Sequence, residues 1–329
     1  MTINIALQTT EGLVLACDSI SSQIGYFLHA FGPQTEIQQD GTYIARYKPE
    51  QVVTQVTNSL GGVTKFFQLH GGETPVAAIT AGLAKLSNRS MNSCALEFFR
   101  QQELAHNWRD SVGSVADAFL KFMRSKYDEH YANSQIPQEF RDGPVFLIGG
   151  YGINDYLPSL YRIDIQKNLS NVEFAPGEFG VAWAGQSDAV ERLIRGYDVA
   201  IRIAVEKAVT DGIRQIREAL GSAMQQAVQK LVDDVGPEKV ADMRVEAPES
   251  KDLVLPWDAY QAHIDCGNLP LQDGIDFAAF LVNIQSGRAK FSEGVPTVGG
   301  RTHIGVITKQ DGFKMIDEAP LVHRNTGFI

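Results

Sequence analysis

Cysteine is scarce in this chain. Only Cys17, Cys94 and Cys266 occur in 329 residues. Three scattered cysteines cannot build a disulfide framework, and they suit a reducing compartment. Basic charge is also short, with 29 Lys and Arg against 39 Asp and Glu and a net charge of −10. No basic surface for nucleic acid is implied. No apolar run approaches the roughly eighteen residues of a membrane span, so no membrane partner is expected. The N-terminus carries no basic segment followed by an apolar stretch, so no leader is expected and the cytoplasm is the expected location. The seven histidines never pair at ligand spacing, and neither H-E-x-x-H nor C-x-x-C occurs. No metal site is therefore expected. There is no G-x-x-x-x-G-K-[ST], so the chain is not expected to hydrolyse ATP. Gly149-Gly150-Tyr151-Gly152 departs from G-x-G-x-x-G and leads into a hairpin pattern. No cofactor is expected, and no G-x-S-x-G elbow is present.

What the chain does have is apolar residues in periodic order. At 44% hydrophobic it can bury one large core or two modest ones. Ile3, Ile5 and Leu7 alternate with polar or small residues, Thr9-Thr10-Glu11-Gly12 makes a turn, and Leu13 to Cys17 resumes as an apolar strand. Residues 82–106 and 110–130 read as helices, and 145–184 return to strands. Residues 187–235 form a long helical tract with one apolar stripe, in which Gly212 and Gly221 suggest a bend or break. Such a stripe must bury against something, either the chain's own sheet or a partner.

The second residue carries the chemistry. Threonine is small enough for the initiator Met1 to be removed before it. The mature chain would then begin with a hydroxyl and a free α-amine on one residue. A hydroxyl is a weak nucleophile until a base takes its proton, and a terminal amine titrates at about 7.7–8.0. It can therefore serve as base for its own side chain. The second strand ends in Asp18, which a return strand brings beside Thr2.

These residues resemble the start of a proteasome β-subunit or of the bacterial HslV-type peptidase. In that family an Asp follows the N-terminal Thr by sixteen positions, the separation of Thr2 and Asp18. Lys65, opening Lys65-Phe66-Phe67-Gln68-Leu69, is similar to the family's lysine. Gly82, after Val76 to Ala81, is similar to the glycine whose N–H forms the oxyanion hole. The Thr-to-Lys separation is 63 positions, about twice the family's, which places an insertion within residues 21–62, suited to an extended hairpin. Pro144 to Gly152 with Ser159 to Asp164, Phe179 to Ser187, Leu271 to Phe277, and Val298 to Thr308 resemble later blocks in the family's order. The resemblance covers roughly 200 of the 329 residues. Two supporting positions depart from it. Ala184 aligns with a serine of the family's G-S-G loop, where Gly185 and Ser187 are the nearest supporting candidates. Val295-Pro296-Thr297-Val298-Gly299 lacks the family's Asp and Ser, and Ile20 replaces a basic residue.

Strand pairs flanking two helical layers imply an α+β fold, a four-layer αββα sandwich, and the resemblance makes it one of the N-terminal-nucleophile hydrolase type. It would be one domain over 1–329, with a hairpin insertion at 21–62 and a helical one at 187–268. It implies a threonine-type peptidase with catalytic Thr2, Asp18 and Lys65 and an oxyanion hole at Gly82. It further implies a polypeptide substrate, a homo-oligomer forming a ring or larger particle, and a possible ATP-dependent unfoldase partner. An amidase acting on a small amide, or a non-catalytic assembly subunit, are the alternatives.

Overall fold

The computed structural model describes residues 2–28, 34–37, 43–46, 52–104, 110–134, 136, 138, 141–237 and 255–316. The chain forms two compact units, Met1–Val190 with Ile264–Ile329, and Glu191–His263.

The first unit begins with β1 (Ile3–Gln8) and β2 (Leu13–Asp18), joined by a turn in which Thr9 N–H donates to Gly12 O at 2.9 Å. With β14 (Gly180–Gly185), β15 (Thr302–Thr308) and β16 (Gly312–Met315) they make an antiparallel sheet in the order β14-β1-β2-β15-β16. A second antiparallel sheet holds β7 (Phe66–His70), β8 (Val76–Ala81), β11 (Val145–Gly150), β12 (Ser159–Asp164) and β13 (Leu169–Phe174). Its order is β13-β12-β11-β8-β7.

The two sheets meet face to face. Ala6, Leu13, Leu15 and Cys17 of the first pack with Ala77, Ile79, Leu147 and Leu160 of the second. The far side of the second sheet is covered by α1 (Met91–Leu104) and α2 (Val112–Tyr131), through Phe98, Phe119 and Met123 against Phe146 and Ile148. The far side of the first is covered by α5 (Leu271–Phe291), where Gly274 lets the helix approach Leu7 and Val14. The layers are thus helix, sheet, sheet, helix, the αββα arrangement expected. Both faces of β1 and β2 are buried, which is why their sequence is nearly all apolar. Asn4, Gln8 and Asp18 are the buried polar exceptions, and Gln8 Nε2 donates to Pro158 O and Glu178 O, each at 2.8 Å.

Within residues 21–62, β3 (Ser21–Leu28) pairs antiparallel with β6 (Val52–Leu60). Between them β4 (Gln34–Ile37) pairs with β5 (Tyr43–Arg46).

Two helical expectations shift. Residues 82–90 do not open a helix. Gly82 adopts φ +91° and Ser87 φ +52°, and β9 (Lys85–Leu86) pairs with β10 (Arg89–Ser90) before α1 starts. The long tract breaks at Gly196 rather than at Gly212 or Gly221. Gly196 has φ +74°, and a Cβ there would stand 1.9 Å from Tyr260 O. It separates α3 (Asp188–Arg195) from α4 (Val199–Val235), which Asp198 caps by accepting from Ala200 N–H at 2.7 Å. A Cβ at Gly212 or Gly221 would meet nothing within 4 Å, so no packing forces a bend at either.

Phe119 sits where the helical layer meets the second sheet, with ring centroids 5.1 Å from Phe98 and 5.0 Å from Phe146. Phe119→Ala should cost about 3–5 kcal/mol in urea unfolding. A loss below about 1 kcal/mol would show that this contact does not hold the layer.

Candidate active site

The site grows out of the pairing between β1 and β2. Asn4 lies opposite Cys17, which sets the end of β2 beside the start of β1. The Thr2 hydroxyl donates to Asp18 Oδ1. Lys65, just before β7 of the other sheet, donates its ammonium to the same hydroxyl oxygen. It also donates to Asp18 Oδ1 at 2.5 Å and to Ile20 O at 2.6 Å. These three acceptors match the three protons of a lysine ammonium. The backbone of Lys65 is itself held, since its carbonyl accepts from Thr80 N–H at 3.2 Å.

Asp18 is as fully engaged. Ile3 N–H donates to its Oδ1 at 3.1 Å, while Ile20 N–H and Gly299 N–H donate to Oδ2 at 3.2 and 3.1 Å. Thr2 and Lys65 are each 4% exposed and Asp18 1%. An ion pair so far from water is tolerable because each charge has its partner and its hydrogen bonds. Cys17, next to Asp18, is fully buried, and burial pushes its thiol pKa well above the usual range. It stays protonated and is a core residue, not a second nucleophile.

The other expected positions divide. Gly82 lines an open cleft with Thr2 and Lys65. Its φ of +91° excludes other residues, and a Cβ would stand 2.5 Å from Gly143 O. Gly185 lies opposite Ile3, and a Cβ there would stand 2.1 Å from the carbonyl oxygen of Thr2. Ser187 is buried immediately before α3.

The structure adds residues that sequence reasoning missed. Gln186 N–H donates to Thr2 O at 2.7 Å, so the loop after β14 fixes the backbone of Thr2. Thr297 Oγ1 donates to Gln186 Oε1 at 2.5 Å, and Ser22 Oγ donates to Thr297 O at 3.2 Å. The 295–299 segment lacks the side chains expected of it, yet it supports Asp18 through the Gly299 backbone. Ser19 seals the same corner, accepting from Arg301 N–H at 2.8 Å and donating from its own N–H to Gly299 O at 3.2 Å. Val63 N–H donates to Ser19 O at 2.9 Å, which closes the ends of the 21–62 segment beside the site. No residue-type motif marks contacts made by backbone N–H groups.

Two packed antiparallel sheets between helical layers define the four-layer αββα class of fold, and a threonine hydroxyl stands at the start of its strand β1. The narrower identification with proteasome β-subunits or HslV-type peptidases is not upheld. No family model matches the chain, and no curated protein does. Two solved structures that it resembles are described instead as Anbu, an ancestral β-subunit. Anbu from Yersinia bercovieri is 11% identical, with 97% of this chain and 88% of that one covered and a TM-score of 0.44. A Gly-1 mutant of Anbu from Hyphomicrobium sp. strain MC1 is 10% identical at the same coverages, with a TM-score of 0.45. An overlap this loose carries no argument about activity.

The buried pair yields a stability test. Asp18→Asn leaves Lys65 without a countercharge and should cost about 3–5 kcal/mol. Lys65→Met should strand Asp18 in the same way. The double variant should lose less than the sum, since neither charge remains. Additive losses in urea unfolding would show that the two residues are not coupled.

Proposed function

We propose that the chain is a threonine hydrolase that cleaves amide bonds in polypeptides, with Thr2 as nucleophile. One observation carries this reading: the Thr2 hydroxyl lies between the Lys65 ammonium and the Asp18 carboxylate, at the edge of an open cleft. Removal of Met1 frees the α-amine of Thr2. That amine takes the hydroxyl proton as Oγ bonds to the substrate carbonyl carbon. Lys65 stabilises the developing alkoxide, and its charge favours the neutral amine. The carbonyl electron pair moves onto oxygen, where Gly82 N–H meets it, a donor worth about 10²–10³ in rate. The C–N bond then breaks, and the leaving nitrogen takes the proton from the Thr2 ammonium. Water attacks the resulting ester, giving one proton to the amine. Thr2 Oγ leaves and recovers that proton, and the acid product departs.

Intact mass and peptide turnover test the reading together. Protein made with its native start should lack Met1 and hydrolyse fluorogenic peptide amides. Thr2→Ala should abolish turnover, and Lys65→Ala should lower kcat at least about 10²-fold while both variants stay folded. Turnover that survives Thr2→Ala would move the nucleophile elsewhere. Retention of Met1 in an active enzyme would exclude the α-amine as base.

A homo-oligomer belongs to the same reading. α4 buries none of its residues, and Ile201, Ile216, Leu220, Met224, Val228 and Leu231 along it are 41% to 68% exposed. A stripe of this kind favours association. The absence of a nucleotide loop assigns any unfolding of substrates to a separate ATP-driven partner. Light scattering at micromolar concentration should give a mass several times 36.1 kDa. The Ile216→Glu, Leu220→Glu double variant should lower it. A wild-type monomer with full activity would end the oligomer proposal.

A further inference from the structure

The charges of the cleft are already spent. Lys65 is the one charged side chain among its described lining residues. All three of its protons are directed at Thr2 Oγ1, Asp18 Oδ1 and Ile20 O. Asp18 receives five donors across its two oxygens, from Thr2, Lys65 and the backbone N–H groups of Ile3, Ile20 and Gly299. A bound molecule therefore finds neither a spare ammonium proton nor a spare carboxylate lone pair in the trio.

Beyond the trio the described lining is neutral. Thr80, Ala81 and Met91, 7%, 4% and 3% exposed, are its buried residues, and Leu83 is half-buried. The Thr80 hydroxyl is directed at Val145 O at 3.4 Å, so its donor is already engaged within the chain. The exposed part of the lining includes Thr64, Ser90 and Asn92, polar but uncharged. Met91 is the first residue of α1, so the second sheet's helical layer fixes its position. A charged substrate side chain entering here would lose water and gain no partner among the described lining residues, whereas an apolar one would gain contact at no such cost.

We propose that this cleft selects acyl groups bearing a small or medium-sized uncharged side chain, with Thr80 and Met91 as the surface that receives it. The inference rests on the threonine-hydrolase reading for its reaction but not for its binding preference. The thioether of Met91 sets the upper size, since it is flexible enough to accommodate Ala through Met and too bulky to admit a large ring. Ser90, exposed beside it, is where an added charge would change the preference.

Two measurements separate this inference from the activity it refines. In the first, kcat/KM is measured for peptide aminocoumarin amides that differ only in the residue whose carbonyl is attacked. Ala, Leu and Met should exceed Asp, Glu, Lys and Arg by roughly 100-fold. Met91→Ala should shift the preference toward Phe and Tyr, and Ser90→Glu should raise turnover of the Lys and Arg substrates. In the second, fluorescence anisotropy follows binding of the same peptide series, as uncleavable acids, to the full-length Thr2→Ala variant. A neutral preference in binding with no turnover by the wild type would support the selectivity and refute the hydrolase. Equal or tighter binding of the charged peptides, or faster cleavage of them, would overturn the selectivity whatever the activity.

Discussion

The ion pair between Lys65 and Asp18 joins the two sheets at the point where Thr2 begins its strand. Asp18 ends β2 in one sheet, and Lys65 immediately precedes β7 in the other. Neither charge would be stable in this interior alone, so each requires that the sheets be packed. The hydroxyl between them is therefore polarised only in the closed sandwich. The fold and the chemistry share one contact, and anything that parts the sheets dismantles both.

Support for that contact comes mainly from the backbone. Ile3, Ile20 and Gly299 donate N–H groups to Asp18, and Gln186 donates one to the Thr2 carbonyl. Backbone donors cannot be removed by a side-chain substitution, and they are fixed by the strands that carry them. Glycine sits where these segments come close. Gly185 has no room for a Cβ against Thr2 O, and Gly300, at φ +79°, would set one 2.4 Å from Ser19 Oγ. Pre-organisation here costs side-chain diversity at the glycines rather than extra catalytic groups.

How much was legible in the sequence follows from the same division. Thr2 and Asp18 were readable because a short hairpin joins them, and alternating residues reveal a hairpin. Lys65 and Gly82 needed the family resemblance, since no local pattern ties them to Thr2. The αββα layering was readable from runs of strands and helices in order. Gln186, Thr297 and Gly299 were not, because they act across more than a hundred residues and largely through groups every residue has. The helix expected from residue 82 failed where Gly82 and Ser87 take positive φ, a choice made by tertiary contacts. The break expected at Gly212 or Gly221 failed because glycine permits a bend without requiring one, whereas Gly196 is pressed against Tyr260 O. The family itself was misjudged because short apolar and glycine blocks, none specific alone, were read together as marks of one lineage.

The bond from Val63 N–H to Ser19 O has a consequence for how such a chain can change. It closes the segment between them at its base, within a few residues of both Asp18 and Lys65. For a loop already closed, each doubling in length adds only about 0.6 kcal/mol of closure entropy. The segment can therefore grow, shrink or be exchanged with little strain reaching Thr2. The clasp separates a part of the molecule free to diversify from a part that cannot, and it does so one residue beyond the carboxylate.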